Sequence, residues 1–193
     1  MKRLSLYLFL ILFTPQTPSQ ANDIRDFQIE GMSIGDRALD YFSEKVIKKN
    51  SKTYFTNKKF TPVQNDNFPF FETYDAVDFQ YKTGDKNYII WGLSGIIFYQ
   101  HNVVKCYEKQ DEILEIMSEL FKDEGKFSKK IKRKHDADKS GKSINTAARV
   151  NLKSGDVISI HCNDYSKEYG GQDHLAVNLR TVEYTKFLRI AYK

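Results

Sequence analysis

The sequence predicts an α+β fold, an antiparallel sheet with helices packed on one face. Three observations lead there. Apolar and polar residues alternate over 77–82 and again over 148–153, the period-two pattern of strands buried on one side. Each run is closed by turn chemistry, Lys82-Thr83-Gly84-Asp85 and Lys153-Ser154-Gly155-Asp156. Apolar residues at helical spacing precede both runs. The 193 residues are 40% hydrophobic and include 14 Phe and 12 Tyr, ample for a core and too apolar for a disordered chain. Four Pro and 10 Gly exclude a collagen-like or low-complexity architecture. Two Cys exclude a disulfide-dense mini-scaffold and a four-Cys zinc module.

The chain opens with Lys2 and Arg3, an apolar run from Leu4 to Phe13, and Ser19-Gln20-Ala21. These are the parts of a secretory signal peptide, expected over 1–21 with cleavage near Ala21. About ten apolar residues are too few for a bilayer core that needs about twenty, so no transmembrane segment is expected. The remainder, 22–193, reads as a single α+β domain destined for the periplasm or the exterior.

Ser33 can cap a helix, with Asp36 in its first turn. Ile34, Ala38, Phe42 and Val46 then recur every fourth residue, which predicts a helix over 33–48. The polar, basic stretch 49–64 reads as loop with one short strand near Tyr54. A strand over 77–82, a return strand from Tyr88 to Leu93 and a third from Gly95 to Tyr99 follow. A second helix is expected from Asn102 to Asp123, with Cys106, Ile113, Met117 and Leu120 on its apolar stripe. Strands over 148–152, 157–162 and 175–179 and a closing helix from Val182 to Ile190 complete the chain. Superposing the two turn motifs, offset by about seventy residues, gives a second arrangement: two helix-plus-hairpin units in tandem, about 31–101 and 102–180.

Helical spacing puts Cys106 on the core side of its helix, and strand alternation puts Cys162 with Ile158 and Ile160. Both thiols therefore enter the helix–sheet interface, and export takes them to a compartment where thiols oxidise, which predicts a disulfide. Other motifs fail on inspection. Asp136-x-Asp138-x-Ser140-Gly141 begins like a calcium loop, but the twelfth position is Ala147 where a bidentate Glu belongs. Gly141-Lys142-Ser143 ends like a phosphate loop, but Asp136 occupies the earlier Gly position. His101, His135, His161 and His174 stand at no metal-ligand spacing, and His161 alternates away from Cys162. No metal, cofactor or catalytic residue is predicted. Asp173-His174 is the one base-and-orienter pair on which a hydrolase would rest, and no Gly-x-Ser-x-Gly elbow supplies its nucleophile.

Nine Lys or Arg fall between Lys122 and Lys142, densest at Lys129, Lys130, Lys132, Arg133 and Lys134. Interleaved acids blunt their field, so the stretch 126–142 reads as a solvated loop, with polyanion or small-solute binding as the functional alternative. The net charge of +5 is too mild to call for nucleic acid. Tyr88, Trp91 and Tyr99 are candidate anchors for a partner protein.

Asp23-Ile24-Arg25-Asp26-Phe27-Gln28-Ile29-Glu30-Gly31-Met32-Ser33-Ile34-Gly35-Asp36, Tyr74-Asp75-Ala76-Val77, Cys106-Tyr107-Glu108-Lys109-Gln110 and Ala137-Asp138-Lys139-Ser140-Gly141-Lys142-Ser143 carry a resemblance over most of the mature chain. It is to a family of uncharacterised exported proteins of marine alphaproteobacteria, which brings no known activity with it. More loosely, Gly31-Met32-Ser33 opening a helix ahead of an antiparallel meander resembles the β-lactamase-inhibitor-protein fold and the small lipoprotein of the outer-membrane assembly machinery. Those are binding modules, and the resemblance implies binding; the lipidated Cys of the latter has no counterpart here. The expectation is an exported, non-enzymatic protein-binding or envelope-assembly module whose partner is another protein of the cell envelope. The alternatives are a polyanion or small-solute binder using 126–142, or a hydrolase around Asp173 and His174.

Overall fold

The computed structural model describes residues 23–192 apart from Asn67 and His101, so the expected signal peptide and His101 lie outside the described residues. Seven antiparallel strands form one sheet: β1 (Phe60–Asp66), β2 (Ala76–Lys82), β3 (Gly92–Phe98), β4 (Ile131–Lys134), β5 (Ile144–Asn151), β6 (Val157–Asp164) and β7 (His174–Arg180). Their spatial order is β1-β2-β3-β7-β6-β5-β4. The last strand thus enters the middle of the sheet and pairs with β3 on one side and β6 on the other. Three α-helices accompany it: α1 (Glu44–Asn50), α2 (Val103–Leu120) and α3 (Val182–Leu188).

Strand alternation gives the sheet two unlike faces. On one, the register aligns Val63, Phe79, Leu93, Leu179, Ile158 and Val150 in a single row across six strands. All six are buried, and with α1, α2 and the segment 24–42 they form the main core. Each buried large apolar side chain contributes roughly 1.5–3 kcal/mol, so this face holds the fold together. Asn102 caps α2 by accepting from the Lys105 amide at 3.3 Å. Two residues one turn apart then fasten α2 to the sheet. Cys106 forms a disulfide with Cys162 on β6. Gln110, fully buried, donates from Nε2 to the carbonyls of Thr146 and Ile160, both at 2.9 Å.

The structure corrects several local expectations. Residues 33–48 are not one helix. Gly35 takes a left-handed φ of 95°, Arg37 bridges to Ile89, a short 3-10 turn spans Ala38–Asp40, and the α-helix starts only after Ser43 caps it. Ile34, Ala38 and Phe42 are buried all the same, so the four-residue spacing reported burial rather than helix. The stretch expected as loop has no strand at Tyr54 and instead runs into β1, an edge strand that accommodates Pro62. One strand, β3, replaces the two expected between Tyr88 and Tyr99. The densest part of the basic stretch is the exposed edge strand β4 rather than loop, and its charges guard that edge.

The helices do not share one face. α3 packs its Tyr184 and Phe187 with Phe55 and Phe60 in a second cluster, and Phe60 alternates away from the main core. Gly92 makes this packing possible. A Cβ there would come within 2.3 Å of Gln80 Oε1 and 2.6 Å of the Tyr184 ring. Gly92→Ala is therefore expected to destabilise the fold by about 1–3 kcal/mol in urea denaturation. An unchanged midpoint would contradict this packing.

Candidate binding cleft

The second face of the sheet is polar, and α3 covers only one end of it. The same register that builds the core places Gln64, Asp78, Ser94, Asn178, Ser159 and Arg149 in a row across it. A parallel row runs Phe98, His174, Asn163, Asn145, Arg133. Arg180 lies two residues along β7 from Asn178 and is only partly exposed. Asp78, Ser94, Asn178, His174, Asn163, Asn145, Arg133 and Arg180 line an open cleft of about 970 Å³. Tyr54 and Tyr192 stand at one side, and at the other Tyr165 packs its ring against His135 and His174.

Hydrogen bonds fix many of the side chains in the two rows. Ser94 Oγ donates to Asn178 Oδ1 at 2.9 Å, and Asn178 Nδ2 donates to the carbonyls of Ser159 and Ala176. Gln64 Nε2 donates to Asp78 Oδ2 at 3.3 Å. Asn145 donates to Asn163 Oδ1 at 2.7 Å, and Asn163 Nδ2 lies 2.9 Å from His174 Nε2. His174 Nδ1 lies 3.0 Å from the Gln172 carbonyl, which can only accept. The proton is thereby assigned to Nδ1, leaving Nε2 to accept from Asn163.

The charges in the cleft are held in unusual states. Burial, opposed by the Gln64 hydrogen bond, pushes the Asp78 carboxyl up to about 7. Burial and the nearby Arg180 guanidinium push the His161 imidazole down to about 3, and burial lowers His174 as well. Both imidazoles are neutral at pH 7. No carboxylate among the described residues stands within ion-pair distance of Arg180. A cleft with neutral rings, amides, the Asp78 and Asp136 carboxyls and the cations Arg133, Lys134 and Arg180 can hold a polar molecule by many hydrogen bonds.

The residues singled out from sequence fare unevenly. Asp173 and His174 do not act together: Asp173 is buried and accepts from the Tyr165 amide at 2.8 Å, while His174 bonds Gln172 and Asn163. Asp173 immediately precedes β7 and turns its carboxylate to the Tyr165 amide, away from the imidazole's partners, which is why the pair does not form. Of the basic residues, Arg133 faces the cleft, Lys134 also lines it, Lys130 pairs with Asp111 at 2.6 Å, and Lys129 and Lys132 are exposed. Tyr88 is buried against Tyr81. Trp91 lies beside Phe60 with Lys82 Nζ 3.7 Å above its ring, and Tyr99 packs partly against the main core. Asp138, of the calcium-like stretch, spends its carboxylate on Ser140, Ser143 and Ser166, which holds it well below the usual carboxylate range and shapes the loop beside the cleft.

Asp78, Asn163, Asn178, Arg180, Ser94 and Ser159 escaped the sequence reading. Their signal was the polar half of the alternation: His174, Asn178 and Arg180 interleave with Leu175, Val177 and Leu179. Compared with known protein families, with characterised proteins and with solved structures, the chain matches none.

Proposed function

We propose that this protein is a non-enzymatic binding module, exported to the periplasm or beyond, that holds a small polar solute in the cleft on the open face of its sheet. The observation that carries this reading is the row of fixed amides, hydroxyls and neutral imidazoles around a space of about 970 Å³. A solute displaces water from such groups and makes the same hydrogen bonds with little reorganisation of the protein. The basic stretch contributes to this site through Arg133 and Lys134 rather than acting as a separate polyanion patch. Export accords with the leader expected over 1–21 and with a disulfide. A partner protein of the envelope would have to use another surface, because Tyr88 is buried and Trp91 and Tyr99 are half-buried.

The tandem arrangement is part of the same proposal. Hairpins β2–β3 and β5–β6 flank β7, and their turns place Gly84 and Gly155 at φ of 86° and 87°. In both turns the following Asp accepts backbone amides, Asp85 from Asn87 and Ile89, Asp156 from Val182. These parallels support two related units, about 31–101 and 102–180, with β7 of the second unit entering between the two hairpins.

The test is a titration of the whole protein with monosaccharides, amino acids, nucleosides and small organic acids, followed through the imidazole resonances of His161 and His174. At least one class is expected to shift both rings saturably at millimolar concentration or below. No shift with any class would overturn the reading.

A further inference from the structure

Beside the main cleft a second lobe of about 480 Å³ opens between the sheet and α3, sharing Arg133, Asn145, His161 and Arg180 with it. Its lining has a distinctive charge. Three guanidiniums, from Arg133, Arg149 and Arg180, face it, and no Asp or Glu does. Arg133 and Arg149 are exposed at the rim, while Arg180 is mostly enclosed and its side chain has no hydrogen-bond or ion-pair partner among the described residues. Enclosure lowers its pKa, yet a guanidinium stays charged at any physiological pH.

Two further donors are unspent. Ser159 is 2% exposed, and its Oγ has no hydrogen-bond partner; Thr185 Oγ1 on α3 is likewise buried and unpartnered. Both residues line this lobe with Arg180. A buried hydroxyl without a partner costs roughly 1–3 kcal/mol, and two around one unpaired cation is not a pattern that stability would select. The natural complement is an oxyanion, which accepts from all three at once. Three positive charges and no negative one suit two negative charges better than one. We propose that this lobe receives the phosphate group of a phosphorylated small molecule, gripped by Arg180, Ser159 and Thr185, while the uncharged polar part of that molecule lies in the main cleft. The inference rests on the reading of the cleft as a solute site and specifies the chemical class of that solute.

The experiment is calorimetric titration of the whole protein with inorganic phosphate, glycerol phosphate, malonate and glycerol, beside the imidazole resonances. Glycerol phosphate is expected to bind more tightly than inorganic phosphate, and both more tightly than malonate. Arg180→Ala is expected to weaken glycerol phosphate by about tenfold or more, Arg180→Lys by less, and Ser159→Ala or Thr185→Val by a few-fold each. Should Arg180→Ala fail to fold, Arg149→Ala at the rim is the second variant, with a smaller loss that fades as salt rises. Equal binding by wild type and both Arg variants would overturn the inference, as would tighter binding of malonate than of phosphate. Silence toward phosphates while neutral solutes still shift His161 and His174 would overturn the inference and leave the cleft reading standing. Silence toward every solute would overturn both.

Discussion

Reducing the bond between Cys106 and Cys162 is expected to cost the fold about 4 kcal/mol, the chain-entropy value for a closed loop with a sequence separation of 56. That is a large part of a whole-domain stability of about 5–15 kcal/mol, and it corresponds to a fall in melting temperature of roughly 8–16 °C. The loss is not confined to loop entropy. The bond joins the first turn of α2 to the buried face of β6, where both Cys are fully buried. Gln110, one turn on, depends on that placement for its two carbonyl contacts. Cys106→Ser should reproduce the effect without reductant, and thiol titration of the unfolded, unreduced protein should find none free. An unchanged melt under reductant would refute this staple.

Asp78→Asn is expected to stabilise the protein at neutral pH by about 2–3 kcal/mol. In the folded chain this carboxyl keeps its proton up to about 7, whereas in the unfolded chain it ionises near its ordinary value of 3.8. The unfolded state therefore releases the proton first. The group favours neither state below about pH 4, and its penalty on the folded state grows as pH rises to about 7. The full three-unit difference would give about 4 kcal/mol, and solvent at the open side of the cleft reduces it. Asparagine keeps an oxygen to accept from Gln64 and carries no charge. Urea denaturation at pH 4 and at pH 7.5 should show the variant's advantage only at the higher value. His161 acts in the opposite sense and is untouched by the change: as pH falls from about 6.5 toward 3 the unfolded chain protonates it and the folded chain does not. A variant equal to wild type at both pH values would contradict the buried state of Asp78.

Much of the architecture is legible in sequence because it is local. Alternation over 77–82, 157–162 and 175–179 locates three strands, and helical spacing from Val103 onward locates α2. The two periodicities together aim Cys106 and Cys162 at one interface, where they bond. Failure comes where distant partners decide. Residues 33–42 have a helical burial pattern, but Arg37 pairs with Ile89 some fifty residues away and Gly35 turns the chain, and neither is visible locally. β1 reads as loop because Pro62 and the polar Thr61, Gln64, Asn65 and Asp66 break the alternation, and its pairing with β2 supplies what propensity does not.

The cleft was hidden for a related reason. Polar residues at alternate strand positions are ordinarily taken to face water, and each strand carries only two or three. Ser94, Asn178 and Ser159 become neighbours only once β7 is known to enter between β3 and β6. The apolar half of His174–Arg180 predicts a strand; the other half lines the cleft.

Ala176 offers the most direct test that this face is where the protein binds. It is nearly buried, pairs with Ile96 and His161, and lines the cleft between His174 and Asn178. Ala176→Trp would fill that space with an indole while leaving the disulfide and the apolar face untouched. Titrated with the solute that shifts the wild-type imidazoles, the variant is expected to lose binding by about a hundredfold or more, with unchanged far-ultraviolet circular dichroism and no free thiol. Wild-type affinity in a folded Ala176→Trp variant would contradict the assignment of function to this cleft.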